Sequence, residues 1–339
     1  MGSSSASQSK IVATLGVAVV LLAIGHMCLG SSVWMSPADW WSGLQQGPRA
    51  QDPSPMAVIV WSLRLPRALA CILVGAILGM TGAAFQYLFR NPLAEPYLVG
   101  ASGGAALGGA LVLVTGAGGI LGGIALMAGA LVGALATLAL VLVVASSSPV
   151  RSTANLLLSG VVVGSLASAL MTILLIMSGS DANRILAWLF GSMSQVQWWG
   201  IAWLLGALLA IGVSLRANGR ALNAIALGEE SARHLGVDPG RVQRLVILFG
   251  AAATAISVGA VGIIGFLGLI APHLARPFAG TDMRRLLVAS ALTGSAVLLL
   301  ADAAAQRMIG VVEVPVGALM AIFGAPMLLA ILRRTRLAS

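Results

Sequence analysis

Apolar runs of about 20 residues recur along this chain, and they constrain its fold more than any other feature. The runs cover residues 11–30, 58–88, 97–115, 119–145, 153–178, 197–215, 243–262, 264–279, 286–306 and 314–332. A membrane-spanning helix needs about 20 mainly apolar residues. The runs lack the alternating pattern of barrel strands, and only helices and closed barrels satisfy their backbone in a bilayer. The sequence therefore predicts an all-α integral membrane protein with about ten transmembrane helices.

The composition agrees with a membrane protein. Hydrophobic residues make up 59% of the 339 residues and charged residues 9%, whereas a soluble domain carries about 25% charged residues. No stretch indicates a separate soluble domain, so residues 1–339 are predicted to form a single transmembrane domain. The apolar run after Lys10 resembles a signal peptide, but no A-x-A cleavage pattern follows it. We interpret it as an uncleaved first helix.

The distribution of basic residues predicts the orientation of the chain, since short cytoplasmic loops carry an excess of Lys and Arg. With the N-terminus in the cytoplasm and alternating spans, most of the 19 Lys and Arg residues fall on the cytoplasmic side. Both termini and the polar segment 216–243 are then cytoplasmic, and segment 31–57 is external. The net charge of +9 is scattered between the apolar runs, which is typical of membrane topology and not of nucleic-acid binding.

The sequence lacks the motifs of a nucleotide hydrolase or a metal enzyme. Lys10 is the single lysine, and no G-x-x-x-x-G-K-S/T surrounds it, which excludes a P-loop ATPase. His26, His234 and His273 stand far apart on different predicted elements, so no catalytic residue, metal ligand or cofactor is predicted in this chain. No carboxylate falls at the middle of a span, where an ion-coupled carrier usually places one. The energy for uphill transport is therefore expected to come from a partner protein.

The segment 226-ALGEESARHLGVD-238 predicts a short helix on the cytoplasmic surface. Helix-forming residues run from Ala226 to Leu235, and Gly236 is suited to end the helix. Acidic residues in the first half and basic residues in the second half agree with the helix dipole. On these grounds alone, a docking helix and an ordinary connecting loop both remain open.

This segment and six other stretches of the sequence resemble the FecCD family, the permease subunits of type II ABC importers for iron chelates and cobalamin. The matching stretches occur in family order from Arg64 to Pro326. They are 64-RLPRALACILVGAILGMTGAAFQ-86, 90-RNPLAEPYLVGASGGAALGG-109, 226-ALGEESARHLGVD-238, 262-GIIGFLGLIAPHLAR-276, 280-GTDMRRLLVAS-290, 301-AD-302 and 315-PVGALMAIFGAP-326. The resemblance implies the type II importer permease fold.

The resemblance also implies a function and a set of partners. Two copies of the chain would surround a pore in a bacterial inner membrane, with two ATP-binding subunits inside and one periplasmic binding protein outside. The partner ATPase, and not this chain, would bind ATP and magnesium. The expected function is ATP-driven uptake of an iron chelate, with haem slightly preferred over a ferric siderophore. A cobalamin importer and an ion-coupled secondary transporter remain the alternatives.

The resemblance assigns the surface helix to contact with the ATPase subunit. In the family this loop forms coupling helices that dock in a cleft of the ATPase. Closure of the ATPase dimer would push these helices and reshape the pore. The positions that carry this role over are Gly228, Glu229, Ala232, Leu235 and Gly236.

Two arginines at the external end of the second run are candidates for docking the binding protein. Arg64 and Arg67 are three residues apart, so they lie on one face of a helix. Snorkelling to lipid phosphates is the alternative. A third arginine of the family falls here at Gln306, with Arg307 one place later. One residue rotates a helical side chain by about 100°, which leaves open whether Arg307 replaces it.

The resemblance places a gate where two cytoplasmic segments narrow the pore. One is the turn 91-NPLAEP-96, whose two prolines break the second run from the third. The other is the start of the run 153–178. A structural turn and a helix cap are the alternatives. The gate candidates are Asn91, Leu93, Thr153 and Ala154. Further along the run, Gly160, Gly164, Met171 and Met177 should line the pore.

Overall fold

The computed structural model describes residues 3–30, 34–48, 52–117, 123–147, 153–280, 282–308 and 313–337, without the side chains of 3–10, 153 and 330–337. These residues form a helical bundle, and none of them lies in a strand. The helices are α1 Ser3–Cys28, α2 Pro37–Gln46, α3 Pro55–Leu88, α4 Ala101–Val114, α5 Gly123–Ser146, α6 Thr153–Met177, α7 Ala182–Leu189, α8 Trp198–Ala226, α9 Glu229–His234, α10 Pro239–Val261, α11 Leu267–Ala279, α12 Met283–Ala305 and α13 Val316–Leu337. Within α3, Val60–Arg64 form a π-helical turn. The all-α prediction is confirmed.

Each predicted apolar run overlaps one of these helices. Within the described part of the chain, seven helices are long and apolar enough to cross a membrane, namely α1, α3, α5, α6, α8, α10 and α12. The helices α4 and α13 are also apolar, but their apolar parts are shorter. The helix α11 has 13 residues and contains two prolines. About ten spans therefore agree with the helices that the structure describes.

Glycines bring α3 and α12 into backbone contact at the centre of the bundle. A Cβ added at Gly75 would lie 2.5 Å from the carbonyl oxygen of Gly294, and one at Gly79 would meet that of Ser290. The pairs are one helical turn apart on antiparallel helices. Small residues allow this close approach. In a bilayer such van der Waals packing holds helices together, because the hydrophobic effect does not drive their association there. The helices α3 and α12 are therefore packed as one rigid pair.

A second glycine contact joins α4 and α5. Gly104 faces Gly133, and Gly108 faces Gly129, so that an added Cβ at any of these positions would meet the opposite backbone. The sequence GASGGAALGGA, at residues 100–110, is thus a packing surface and not a linker. This confirms the interpretation of the glycine-rich runs as sites of close helix approach.

Two helices lie in segments that were predicted to be loops. The external segment contains α2, which begins with a capping box. The Ser36 hydroxyl and amide donate to the Asp39 carboxylate at 2.7 and 3.0 Å, and the Asp39 amide donates to the Ser36 hydroxyl. These bonds hold the pKa of Asp39 below its ordinary value. The second unpredicted helix is α7, which precedes α8.

The chain is not helical between α10 and α11, and one tyrosine makes hydrogen bonds to the buried backbone of Ile264 there. The Tyr97 hydroxyl donates to the Ile264 carbonyl at 2.9 Å and accepts from the Ile264 amide at 3.2 Å. Phe266 then starts α11 with a φ of 64°, in the left-handed region. Non-helical backbone inside a membrane protein is tolerated where it is buried or lines a cavity. The break at 262–266 does line a cavity, as described below.

Candidate functional site

The short helix α9 forms by a sharp break in a longer helical region. The segment 216–243 was predicted to be a loop with a helix starting at Ala226. That boundary is wrong, because α8 continues to Ala226 and α9 begins at Glu229. Gly228 separates them with a φ of 129°, a backbone conformation that residues other than glycine rarely adopt. Local propensity alone did not reveal this break.

The other end of α9 is closed by a Schellman motif. Gly236 has a φ of 76°, and its amide donates to the Arg233 carbonyl at 2.9 Å. The Val237 amide donates to the Ala232 carbonyl at 2.9 Å. Together these bonds satisfy two carbonyls that a helix end leaves free. The prediction that Gly236 ends the helix is confirmed.

One face of α9 is anchored and the other is open. Ala232 is fully buried, and Val237 packs on the hydrophobic core. Leu235 is 67% exposed, and Leu227, just before the break, is 76% exposed. The helix is therefore a fixed projection with the Leu235 side chain at its tip, and Leu227 lies in the turn before it. All five positions predicted for ATPase contact belong to this projection.

A groove of about 540 Å³ runs beside α9. Glu229 and Arg233 line it together with the first turns of α10 and the ends of α5 and α6. Asp238 caps α10, since its Oδ1 accepts from the amides of Gly240 at 3.0 Å and Arg241 at 3.2 Å. Because each helix has its own cap, α9 and α10 are separate rigid elements joined by a short connection.

The gate candidates fall in two places. Asn91 has the role of a turn residue, since its Oδ1 accepts from the Leu93 amide at 2.9 Å, and Leu93 is half-buried against the core. Ala154 is exposed in the first turn of α6. Thr153 begins that helix, and its side chain lies outside the described residues. The local bonds account for the turn, and the gate stays a prediction.

A cleft of about 1,030 Å³ opens along α6. Its walls come from α4, α6, α13 and the break at 262–266, and the described lining carries no charged side chain. Gly160, Gly164 and Met171, which were predicted to line the pore, line this cleft. Met177 does not belong to the lining and is 78% exposed. A lining of glycine, alanine and serine, with a few larger apolar residues, offers space without fixed binding groups.

A buried polar network lies at the end of α12 opposite α9. Arg67 donates from Nε and Nη2 to the two oxygens of Asp302, at 2.7 and 3.0 Å, and from Nη1 to Glu313 at 3.0 Å. Gln306 donates to Asp302 Oδ2 at 2.9 Å, and His26 Nε2 lies 2.7 Å from the same oxygen. We call these five residues the Asp302 network. The network ties α1, α3 and α12 together.

The other positions predicted to dock the binding protein, Arg64, Gln306 and Arg307, differ in exposure. Arg64 is 8% exposed and donates to the Met27 carbonyl at 3.0 Å. Gln306 is 3% exposed and turns inward. Arg307 is exposed, and its guanidinium carbon lies 5.5 Å from the centre of the Trp34 ring. The one-residue offset therefore places the Gln306 amide inside the bundle and the Arg307 cation at its surface. This agrees with the rotation of about 100° expected between neighbouring helical residues.

Sequence reasoning missed the contact between His26 and Asp302, because 276 residues separate them. His26, Cys71 and Asp302 bring three possible metal-ligand atoms within 4.8 Å of one another. However, both oxygens of Asp302 already accept hydrogen bonds from Arg67, whose charge would repel a cation. We therefore interpret the group as an ion-pair network. Its one sequence signal was the presence of ionisable residues in apolar runs, which are rare in spans unless they are paired.

Comparison with known proteins decides the family. The model of the FecCD transport family matches residues 17–334. The chain belongs to the FecCD transport family. A relative in Citrobacter koseri, named vitamin B12 import system permease protein BtuC, is 37% identical over 96% of this chain and 94% of the relative. The protein of that name in Salmonella typhi is 36% identical over 95% of this chain and 94% of the relative.

Solved structures agree with this membership. An inward-facing structure of a metal-chelate type ABC transporter superposes with a TM-score of 0.84, at 30% identity over 96% of this chain and 99% of that chain. PsaBC from Streptococcus pneumoniae matches with a TM-score of 0.59 at 17% identity, which supports the fold alone. This FecCD protein is a permease of a type II ABC importer. The preference for haem as cargo is not confirmed, since the two relatives are named for vitamin B12.

Proposed function

We propose that this FecCD permease moves a bulky metal chelate into the cytoplasm, driven by ATP hydrolysis on separate subunits. The observation that carries the proposal is the projection of α9, with its buried Ala232 and its exposed Leu235. An ATP-driven permease that has no P-loop motif of its own must receive its mechanical input from a separate ATPase. A short helix held at both ends transmits a push better than a flexible loop does.

The proposed assembly has two copies of this chain in the bacterial inner membrane, with both termini in the cytoplasm. Each α9 contacts one ATPase subunit, and those subunits bind ATP and magnesium. The second copy supplies the opposite wall of the cleft. The gate formed by Asn91, Leu93, Thr153 and Ala154 lies toward the α9 end.

A periplasmic binding protein docks at the end of the bundle that holds the Asp302 network. Arg307 is the main contact, because it is exposed and stacked on Trp34, and its charge is available to a carboxylate. Arg64 and Arg67 are largely buried, so they lie beneath this surface and help to hold it in place. Gln306 acts through Asp302 and not through the partner.

Cobalamin is the first cargo to test. The names of the relatives favour it, and the uncharged lining of the cleft agrees. Moving an ionised carboxylate into an uncharged, poorly hydrated site is unfavourable. Haem carries two carboxylates, whereas a bulky chelate without free carboxylates would cross with a lower barrier. An iron chelate is the second candidate, because the structural neighbour is described as a metal-chelate type transporter.

Reconstitution tests the proposal. The permease is placed in proteoliposomes with its ATPase, and cobalamin, haem and a ferric siderophore are each offered with the matching binding protein. We expect ATP-dependent uptake of one chelate and faster ATP hydrolysis in its presence. Uptake driven by an ion gradient without the ATPase would instead identify a secondary transporter.

A further inference from the structure

One amide joins the end of α8 to the start of α12. Asn223 lies one turn before α8 ends at Ala226. Its Nδ2 donates to Asp282 Oδ2 at 3.2 Å, and its Oδ1 accepts from the Met283 amide at 2.9 Å. The first amides of a helix have no partner within it. Asn223 therefore caps α12 from a different helix, and both the nitrogen and the oxygen of its side-chain amide make hydrogen bonds.

Further contacts on both sides of the Asn223 side chain hold the same junction together. Asp282 Oδ1 accepts from the Arg285 amide at 3.2 Å, so Asp282 caps α12 from within its own chain segment. One turn earlier on α8, Gly219 leaves room for Arg284, whose Cγ would lie 2.7 Å from an added Cβ. Met283 is fully buried at the centre of the junction. The contact between α8 and α12 is thus close, with hydrogen bonds beside a buried methionine.

This junction lies between the two regions to which the proposed function assigns different partners. Gly228 and α9 follow Asn223 within one and a half turns of chain. The helix α12 runs for 23 residues from Met283 to Ala305, with Asp302 in its last turn and Gln306 directly after it, and both residues belong to the Asp302 network. At a rise of 1.5 Å per residue, that is about 35 Å. Glycine contacts with α3 hold the middle of α12 at Ser290 and Gly294, between these two ends.

We propose that Asn223 is a positioning residue that passes the displacement of α9 to α12. Movement of α9 shifts the end of α8, and the amide of Asn223 carries α12 with it. The cleft and the Asp302 network then respond to ATP hydrolysis as parts of one mechanism. This inference rests on the proposed function, since it needs an ATPase that acts on α9.

The test compares Asn223→Ala with Asn218→Ala in the reconstituted complex. Asn218 is a matched control, because it is a half-buried asparagine on the same helix whose Nδ2 donates to the Ser214 carbonyl of that helix at 2.8 Å. We expect Asn223→Ala to assemble and hydrolyse ATP at the basal rate while the cargo moved per ATP falls about fivefold, at the lower limit of typical coupling effects. Asn218→Ala should keep the wild-type ratio.

A double substitution separates coupling from simple destabilisation. Asn223→Asp places two carboxylates face to face and should lower the ratio further. Adding Asp282→Asn restores a donor and an acceptor at the junction, so the ratio should recover. Failure to recover, or equal losses of assembly and transport in Asn223→Ala, would overturn the inference. If the wild-type complex itself shows no ATP-driven uptake, the proposed function fails instead.

Discussion

Arg67 illustrates how an arginine near a membrane surface becomes a structural residue. Its donors go to two carboxylates, and the side chain of Asp302 is 1% exposed. Replacing one partner of a buried pair leaves the other charge buried without compensation, at a cost of about 3–5 kcal/mol. The stability of the bundle should therefore depend on Arg67 more than on any exposed arginine.

We predict that Arg67→Ala strongly destabilises the permease. The loss should appear as a lower temperature of unfolding in detergent, since α1, α3 and α12 lose their shared contact. Arg184→Ala is the control, because Arg184 is exposed on α7. Equal unfolding temperatures for the two variants would show that Arg67 does not hold the Asp302 network together.

Arg307 should behave in the opposite way. Arg307→Glu is expected to reduce binding-protein affinity at least about tenfold, because a like charge faces the partner's carboxylates. The unfolding temperature should stay unchanged, because the residue is exposed. Trp34→Ala should have a smaller effect, since an exposed cation–π contact contributes about 0.5–1 kcal/mol.

Binding measured with the permease in nanodiscs checks this prediction. Arg184→Glu makes the same charge change at another exposed position and should leave the affinity as it is. If the Arg307→Glu permease binds the binding protein normally while the Arg64→Ala permease does not, the docking contact involves the more buried Arg64 and not Arg307.

Among the elements, α9 shows what local sequence can and cannot predict. Its end was predictable, because a glycine after a basic turn is a strong signal for a left-handed cap. Its start was not, because Ala226 and Leu227 favour a helix, and a lone glycine such as Gly228 does not by itself signal that the helix breaks there. The capping box of α2 was readable as Ser36 and Asp39, whereas α7 begins without a capping side chain.

We predict that Leu235→Asp separates the permease from its ATPase. Leu235 is 67% exposed at the tip of α9, so its substitution should not affect folding. A carboxylate buried in an apolar partner surface without a counter-ion strongly disfavours the complex. Co-purification of the ATPase with the tagged permease provides the measurement.

Leu227→Asp is the matched control for this variant. Leu227 is 76% exposed but belongs to the turn before the Gly228 break. We expect it to retain more of the ATPase than Leu235→Asp does. Identical losses would assign the contact to the whole turn region and not to the tip of α9.

At the scale of the molecule, the helices were predictable and their arrangement was not. Hydropathy identifies each helix because the bilayer sets its length. The contacts that organise the bundle join distant parts of the chain, such as Gly75 with Gly294 and His26 with Asp302. Spacing within a sequence carries no information on such pairs, so resemblance to a family was needed to place the site.

The cleft gives the last prediction. A Cβ added at Gly164 would meet its nearest neighbour, the Gly100 Cα, at an ordinary 3.6 Å, and the residue lines the cleft. Gly164→Leu should therefore fold and fill part of the passage. We expect cargo uptake to fall at least about tenfold while basal ATP hydrolysis continues, because the leucine side chain occupies part of the passage and must shift, at a cost of about 1–3 kcal/mol, before the cargo can pass.

Gly206→Leu is the control for this variant, because Gly206 is exposed on α8 and an added Cβ there has no neighbour within 4 Å. It should leave uptake and hydrolysis unchanged. Gly160 is unsuitable, since its Cβ would lie 2.5 Å from the Leu98 carbonyl oxygen and would disturb folding. If Gly164→Leu transports normally, the cargo does not pass along α6, and the cleft is not the conduit.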